Sequence, residues 1–261
     1  MKYTNSQIEN EKSVKSLYEK YPYPNKGINS KKDALRYIKW ISQIFNKDLN
    51  FWKNKNVLEL GCGTGELANS LALFGANVKA IDLSKSSINK AKETSKKLNT
   101  KINFLNENIL KFKDNKKYDV VIALGSLHHT VDAKKGFVIA TNHLDKNGII
   151  IVGIYNKYSR FRHRLKRIVL RIFAGKDIDK RINLGKKLFK TNNSPSWLAD
   201  KYGQTHESYH SINEILKWFN QNNIEFIASK PKFNTPIIDE IRWLIKKENA
   251  FFVMIGQKKS I

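Results

Sequence analysis

Three glycines at alternate positions, Gly61, Gly63 and Gly65, lie in the segment Glu59-Leu-Gly-Cys-Gly-Thr-Gly65, the part of this chain best suited to cradle a ligand. Such a turn lets the main chain adopt conformations closed to other residues and lets a ligand come close to the backbone. Dinucleotide-binding proteins use a glycine turn too, so the turn alone discriminates poorly. Here the spacing is G-x-G-x-G and not G-x-G-x-x-G, and Glu66 stands where the following helix begins. A carboxylate there repels a pyrophosphate that the positive helix end would otherwise attract. Asp82, about 20 residues beyond Gly61, ends the next apolar segment in Ala80-Ile-Asp-Leu-Ser84. A carboxylate at a strand end can accept hydrogen bonds from both hydroxyls of a ribose; its other use is to cap the helix that starts near Ser84. Together these residues describe a nucleoside cradle that disfavours phosphate.

Further chemistry-bearing residues are spread along the chain. His128 and His129, in Leu127-His-His-Thr130, are candidate general bases because imidazole titrates near neutrality; the alternative is that one packs and the other shapes the pocket. Thr205-His-Glu-Ser-Tyr-His210 has two histidines and a glutamate, but Ser211 starts a helix just afterwards, so the segment is a loop. Hydrogen-bonding or acceptor contacts by His206, Tyr209 and His210 are therefore preferred to a metal site. One cysteine, Cys62, offers neither an internal disulfide nor a metal cluster, and no metal is expected. Tyr21 and Tyr23, in Tyr21-Pro-Tyr-Pro24, read either as a stiff aromatic lid or as a connector packed on the core. Tyr155 is a further candidate acceptor contact.

A basic segment adds Arg160, Arg162, Arg164, Lys166, Arg167 and Arg171 with no acid between them, while Phe161, Leu165, Ile168, Val169, Ile172 and Phe173 occupy the other side of the same helix. The ordinary meaning is a solvated basic face over an apolar face packed on the core. Competing with it are an RNA backbone groove, an anionic lipid surface, and recognition of a small anionic acceptor with Arg160 and Arg164 as contacts.

The elements that position these residues follow from periodicity. Residues 1–55 read as a helical lead-in, with Val14, Leu17 and Tyr18, then Leu35, Ile38, Ile41, Ile44 and Phe45, at helical spacing. Strands are expected at 56–60, 78–81, 102–105, 118–124 and 149–155, with helices at 66–74, 84–98 and 134–144 and a turn at 146–148. Alternation of this kind argues for an α/β fold with a parallel sheet covered on both faces. After Tyr155 it breaks for about 50 residues. A basic helix over 157–173 leads a polar stretch ending near Gly203, and a helix at 211–220 and strands at 225–228 and 250–255 then complete the core. The expected division is a lead-in or lid at 1–55, a ligand-binding core at 56–155, a helical cap insertion at 156–205, and completion of the sheet by 206–261.

Aliphatic and aromatic residues make up 41% of 261 residues, enough for a sizeable core and against global disorder. The net charge of +25 would suit a polyanionic partner, but the lysines are scattered among many Asn and Ile residues, as in AT-rich coding bias. No apolar run reaches the roughly 20 residues of a membrane span, and Met1-Lys-Tyr-Thr-Asn-Ser-Gln lacks the apolar heart of a signal peptide, so the expected compartment is the cytoplasm.

Residues 56 to about 155 resemble the class I S-adenosylmethionine-dependent methyltransferases: Glu59 before the Gly61-Cys-Gly-Thr-Gly65 turn, Asp82 as the ribose acid, and Glu107-Asn108-Ile109 as the adenine-contacting segment, with Asn108 where an Asp is usual. The strand 118–124 opening into Leu127-His-His is also similar to the family's version. Tyr21-Pro-Tyr-Pro24, Leu127-His-His-Thr130, Gly153-Ile-Tyr-Asn156 and the 202–210 stretch together resemble a bacterial and archaeal subgroup. The resemblance implies a Rossmann-like, seven-stranded, mostly parallel sheet and S-adenosylmethionine as cofactor, released as S-adenosylhomocysteine. It implies cofactor contacts from Glu59, Gly61, Cys62, Gly63, Gly65, Asp82, Leu83, Asn108, Ile109 and Leu124. Because the sulfonium is already activated, transfer to a good nucleophile can proceed by positioning alone. The acceptor is then a small or lipid-like metabolite, favoured by an enclosing cap, or RNA such as tRNA, favoured by the basic helix. The reading from another class is a non-catalytic module that binds RNA or membrane on the same fold.

Overall fold

The computed structural model describes residues 4–191 and 193–260; Met1 to Tyr3, the first residues of the segment read above for a signal peptide, lie outside them. Two helices lead in, α1 (Asn5–Lys20) and α2 (Lys31–Ile44). The first begins at a reciprocal capping box of Thr4 and Gln7, and the second at Ser30, whose side chain accepts from the Asp33 amide. The alternating core follows: β1 (Asn56–Leu60), α3 (Glu66–Leu73), β2 (Asn77–Asp82), α4 (Lys85–Leu98), β3 (Ile102–Asn106), β4 (Tyr118–Leu124), α5 (Ala133–Asn142) and β5 (Leu144–Tyr155). Next come α6 (Phe161–Ala174), α7 (Ile178–Leu188), α8 (Pro195–Leu198), α9 (Ile212–Gln221), β6 (Ile224–Lys230), α10 (Pro236–Lys246) and β7 (Phe251–Lys258).

The seven strands form one Rossmann-like sheet in the order β3-β2-β1-β4-β5-β7-β6. β1 to β5 pair in parallel, and β7 is antiparallel to both of its neighbours. Alternate residues of each strand feed opposite faces, as a period of two requires. On one face Leu58, Leu60, Val121, Ala123, Ile150 and Val152 pack with Phe137, Trp218 and Phe219. On the other, Val57, Val120, Ile122, Ile149 and Ile151 meet Ile38, Ile41, Leu71, Ile88 and Ala91. A third cluster, with Leu17, Leu170, Ile182, Leu198 and Tyr202, joins α1 to the segment after β5. The strand order reverses direction at β1 and β4, so the carboxyl ends of these two strands open the crevice where ligands of such sheets bind.

Several expectations need correction. Within the polar stretch up to Gly203, where no individual element is assigned from the sequence, lie α7, α8 and a π-helical turn over Ala199–Gly203. α10 is an element that the sequence reading passes over, although Pro236 in its first turn, Asp239 soon after and Lys246 at its end are helix signals. The turn at 146–148 interrupts a longer strand: Tyr118 pairs with Leu144 and Val120 with Ile149, with Asn147 at positive φ absorbing the shift. Most consequential is α6, whose apolar face, expected on the core, is exposed instead. Its inward positions are His163, Arg167 and Leu170, while Phe161, Leu165, Ile168, Val169, Ile172 and Phe173 are exposed.

Candidate active site

The turn after β1 is bound to the protein before any ligand arrives. Gly61 and Cys62 donate their amides to the Ile81 carbonyl, and Gly63 donates to Asp82 Oδ2 at 2.8 Å. Gly63 has φ +53°, and a Cβ there would lie 2.1 Å from the Tyr23 carbonyl oxygen. Its need for glycine comes from the Tyr21-Pro-Tyr-Pro24 strap, which crosses directly over the turn and accepts from the Thr64 amide at 3.1 Å. Glu66 extends this clamp by accepting from the amides of Lys26 and Gly27 and from the Thr64 hydroxyl. Gly65 serves packing instead, because a Cβ there would lie 2.6 Å from Ala91 Cβ in α4.

A cavity of about 580 Å³ opens at the carboxyl ends of the parallel strands. Of the expected cofactor residues, Glu59, Gly61, Cys62, Gly63, Asp82, Leu83, Asn108, Ile109 and Leu124 line it, and Gly65 does not. Asp82 Oδ1 accepts from the Ser84 amide, so the carboxylate both holds the turn and faces the cavity. Burial raises its pKa against the pull of these two amides. Glu59 is buried with Oε2 unpartnered, and burial, followed by the nearby Glu66 and Asp82 charges, pushes its pKa up to about 8. An orphaned carboxylate oxygen beside two further acids is a poor site for an anion and a good one for a cation. Asn108 lies as expected, but its Oδ1 already accepts from the Leu110 amide at 2.7 Å.

Toward the β4 and β5 side the cavity is lined by Gly125, Ser126, His129, Thr130, Tyr155 and Phe251, with Tyr18 from α1 and Asp200 from the π-helical turn. Tyr18 Oη donates to Asp200 Oδ1 at 2.7 Å, Gln204 Nε2 donates to Tyr18 Oη at 2.9 Å, and Tyr155 Oη reaches Asp200 Oδ2 at 3.4 Å. His129 Nε2 lies 3.7 Å from Asp200 Oδ1, and its Nδ1 faces the His206 carbonyl at 3.3 Å. Burial lowers the His129 pKa, opposed by Asp200 and Glu207, so the ring is neutral at pH 7. Burial raises both Tyr18 and Tyr155, with Asp200 adding to each.

His128 is placed differently from its neighbour. It is fully buried outside the cavity lining, its ring 3.9 Å from that of Tyr155, and neither nitrogen makes a hydrogen bond among the described residues. Burial, then His129, drives its pKa well down, and the ring packs against Tyr155 and His129. Tyr23 lines the cavity, whereas Tyr21 turns away and donates to Asp179. His206, Glu207 and His210 diverge: His206 Nε2 meets the Thr130 carbonyl, His210 lies between Ser208 and Glu214, and Glu207 is enclosed by Arg160 and Arg167. Arg160 stacks over Tyr155 at 3.3 Å, Arg164 over Tyr209 at 4.9 Å, and Arg171 donates to the Thr205 carbonyl. The arginines that suggested an anion groove thus pin the 204–209 loop, which in turn holds His128, His129 and Thr130 from behind.

Sequence reasoning passes over Asp200, Tyr37, Trp40 and Phe251, and reads Tyr18 only as a packing position. No local pattern marks Asp200, since its partner Tyr18 lies 182 residues away.

Comparison with known proteins places the fold among enzymes of one chemistry. A family model described as a methyltransferase domain matches residues 52–223. A ubiquinone biosynthesis O-methyltransferase of Rickettsia canadensis (strain McKiel) is 33% identical over 123 residues, 47% of this chain and 52% of that protein. Its counterpart in Rickettsia prowazekii (strain Madrid E) is 34% identical over 120 residues, 46% and 48% of the two. The chain thus spans about half the length of the curated relatives it matches. Among solved structures, magnesium protoporphyrin IX methyltransferase of Synechocystis PCC 6803 with bound S-adenosylhomocysteine superposes with a TM-score of 0.61 at 15% identity, covering 96% of this chain and 100% of that one. PKMT2 of Rickettsia typhi in complex with the same compound gives 0.62 at 18% identity, over 92% and 55%. At these identities the likeness is one of fold alone.

Proposed function

The chain belongs to the methyltransferase-domain family, and from that membership we propose that it is an S-adenosylmethionine-dependent methyltransferase acting on a hydroxyl oxygen of a small, partly apolar metabolite. One observation carries the reading: a single cavity is lined by the acids Glu59, Glu66 and Asp82 and also by the His129, Asp200 and Tyr18 group. The first set suits a cationic nucleoside. Asp82 would hold the ribose, Leu83, Asn108 and Ile109 would flank the base, and Glu59 would face the positive part of the molecule. When bound, S-adenosylmethionine supplies a methyl carbon already activated by its sulfonium.

The second set handles the acceptor. His129 is neutral and its Nε2 is free to take the hydroxyl proton, and Asp200 would then stabilise the imidazolium. Tyr18 and Tyr155 fix the carboxylate, and Trp40, Tyr37 and Phe251 give the cavity apolar walls that exclude water. The name of the curated relatives, ubiquinone biosynthesis O-methyltransferase, supports oxygen as the acceptor atom and a ubiquinone-like small molecule as the acceptor class. RNA gains no support from the geometry, because Arg160, Arg167 and Arg171 are engaged within the protein.

Titration calorimetry tests the cofactor half. S-adenosylhomocysteine is expected to bind, and Asp82→Ala to weaken it by about tenfold or more; no binding at millimolar concentration would remove the enzyme reading. A labelled-methyl assay with hydroxylated aromatic acceptors, with and without an apolar tail, tests the other half. Label entering RNA and no small molecule would overturn the acceptor assignment.

A further inference from the structure

The outward apolar face of α6 calls for an explanation that methyl transfer does not provide. Ten of the sixteen large apolar side chains exposed among the described residues lie on α6 and α10. On α6 these are Phe161, Leu165, Ile168, Val169, Ile172 and Phe173, with Ile172 and Phe173 72% and 75% exposed. On α10 they are Ile237, Ile238, Ile241 and Ile245, the last 69% exposed. Single exposed apolar residues are ordinary, but rows at helical spacing on two helices mark a surface that another phase or molecule covers. The roots of the helices are fastened together: Asn156 Nδ2 donates to Glu240 in α10, and Ser159 Oγ donates to the Asn249 carbonyl just beyond it. The segment that leads into α6 is thus fastened to α10.

The charge around the rows identifies the occupant. Helical periodicity borders the α6 stripe with Arg162 and Lys166 on one side and with Arg164 and Arg171 on the other. Residues 157–176 contain eight Lys and Arg and no Asp or Glu, and the last turns of α10 carry Arg242 and Lys246, with Lys247 as its C-cap. A second copy of the chain would bring these like-charged borders against each other, and the net charge of +25 opposes that. An apolar stripe between basic borders suits a surface whose outer layer is anionic and whose interior is hydrocarbon. Among the described residues no helix is long and apolar enough to cross a membrane, so the contact is one of lying on the surface.

We propose that the exposed faces of α6 and α10 dock this protein on anionic lipid bilayers, with the isoleucine, leucine and phenylalanine rows in the acyl boundary and the flanking arginines and lysines among the head groups. The inference goes beyond the methyltransferase reading and does not depend on it. It also gives the inward arginines a reason: by anchoring to the buried Glu207, Arg160 and Arg167 keep the apolar face of α6 turned outward.

Co-sedimentation of the full chain with phosphatidylglycerol-containing vesicles and with pure phosphatidylcholine vesicles tests the proposal. Binding is expected to the first and to be weaker for the second. Ile168→Asp combined with Ile172→Asp should reduce it by about tenfold or more, and Arg162→Ala with Lys246→Ala should erase the preference for anionic lipid. Both positions of the first pair are exposed, so an unchanged urea-denaturation midpoint verifies that the variants fold. Absence of vesicle binding, or binding that the aspartate pair leaves intact, overturns the proposal. So does self-association in sedimentation velocity, or binding of a short RNA, that the same variants abolish while the wild type ignores vesicles.

Discussion

The two sides of the cavity are built on opposite plans. On the β1, β2 and β3 side the central acid, Asp82, sits at the end of a strand and is held by backbone amides of adjoining turns, those of Gly63 and Ser84. On the β4 and β5 side the central group, Asp200, comes from a turn far along the chain and is held by Tyr18 of α1 and Tyr155 of β5. Behind it the 204–209 loop is fixed by a buried Glu207 shared between Arg160, at the start of α6, and Arg167 within it. A nucleoside recurs unchanged across many enzymes, and a locally coded cradle suffices for it. An acceptor site needs a shape of its own, and on the proposed assignment long-range polar contacts such as Tyr18 to Asp200 supply it.

The sharpest way to break the comparison is to remove the support of the second side alone. Glu207→Ala leaves Arg160 and Arg167 buried without their carboxylate and should cost about 3–5 kcal/mol of stability, by the usual cost of orphaning a buried charge. Urea denaturation measures it; a loss below about 1 kcal/mol would mean that the loop is held by its backbone contacts alone. Asp200→Asn preserves shape and removes charge, so kcat for methyl transfer should fall about a hundredfold while S-adenosylhomocysteine affinity stays within about twofold. Equal losses in both would show that the two sides act as one.

A smaller effect concerns the first side. The folded Glu59 carboxyl titrates near 8, above its ordinary value of 4.5. Between those values the folded protein keeps a proton that the unfolded chain has released, so stability of the ligand-free protein falls as pH rises through this window. A cationic ligand favours the ionised form, so S-adenosylmethionine should bind more tightly as pH climbs toward 8, by at most about tenfold per unit. Glu59→Gln should flatten both slopes, as denaturation and calorimetry across the pH series would record; slopes that persist in the variant would assign them to Asp82 or another group.

Much of the first side is legible in the sequence. Glycine spacing, Glu59, Asp82 and the alternation of strand and helix identify a parallel sheet with a nucleoside cradle, because each depends on contacts within one strand, turn and helix. Even there, the reason for two of the glycines is not a ligand's approach: Gly63 makes room for the Tyr23 carbonyl and Gly65 for Ala91, so the protein's own backbone and side chains impose the requirement. The adjacent histidines illustrate the other limit. His128 and His129 are indistinguishable as neighbours in the chain, yet one is sealed against Tyr155 and the other faces Asp200 across the cavity.

The sequence by itself determined the class of fold, the glycine turn with its flanking acids and the amphipathic character of α6, since hydrophobic periodicity and turn chemistry are local. Which face of α6 turns inward was a tertiary decision. Periodicity says only that a helix has two faces, and it assigns the apolar one to the core by default. A buried glutamate 40 residues beyond Arg167 overrode that assignment by drawing Arg160 and Arg167 in, and the apolar face was left outside. Asp200 likewise has no meaning until the fold brings Tyr18, Tyr155 and His129 around it.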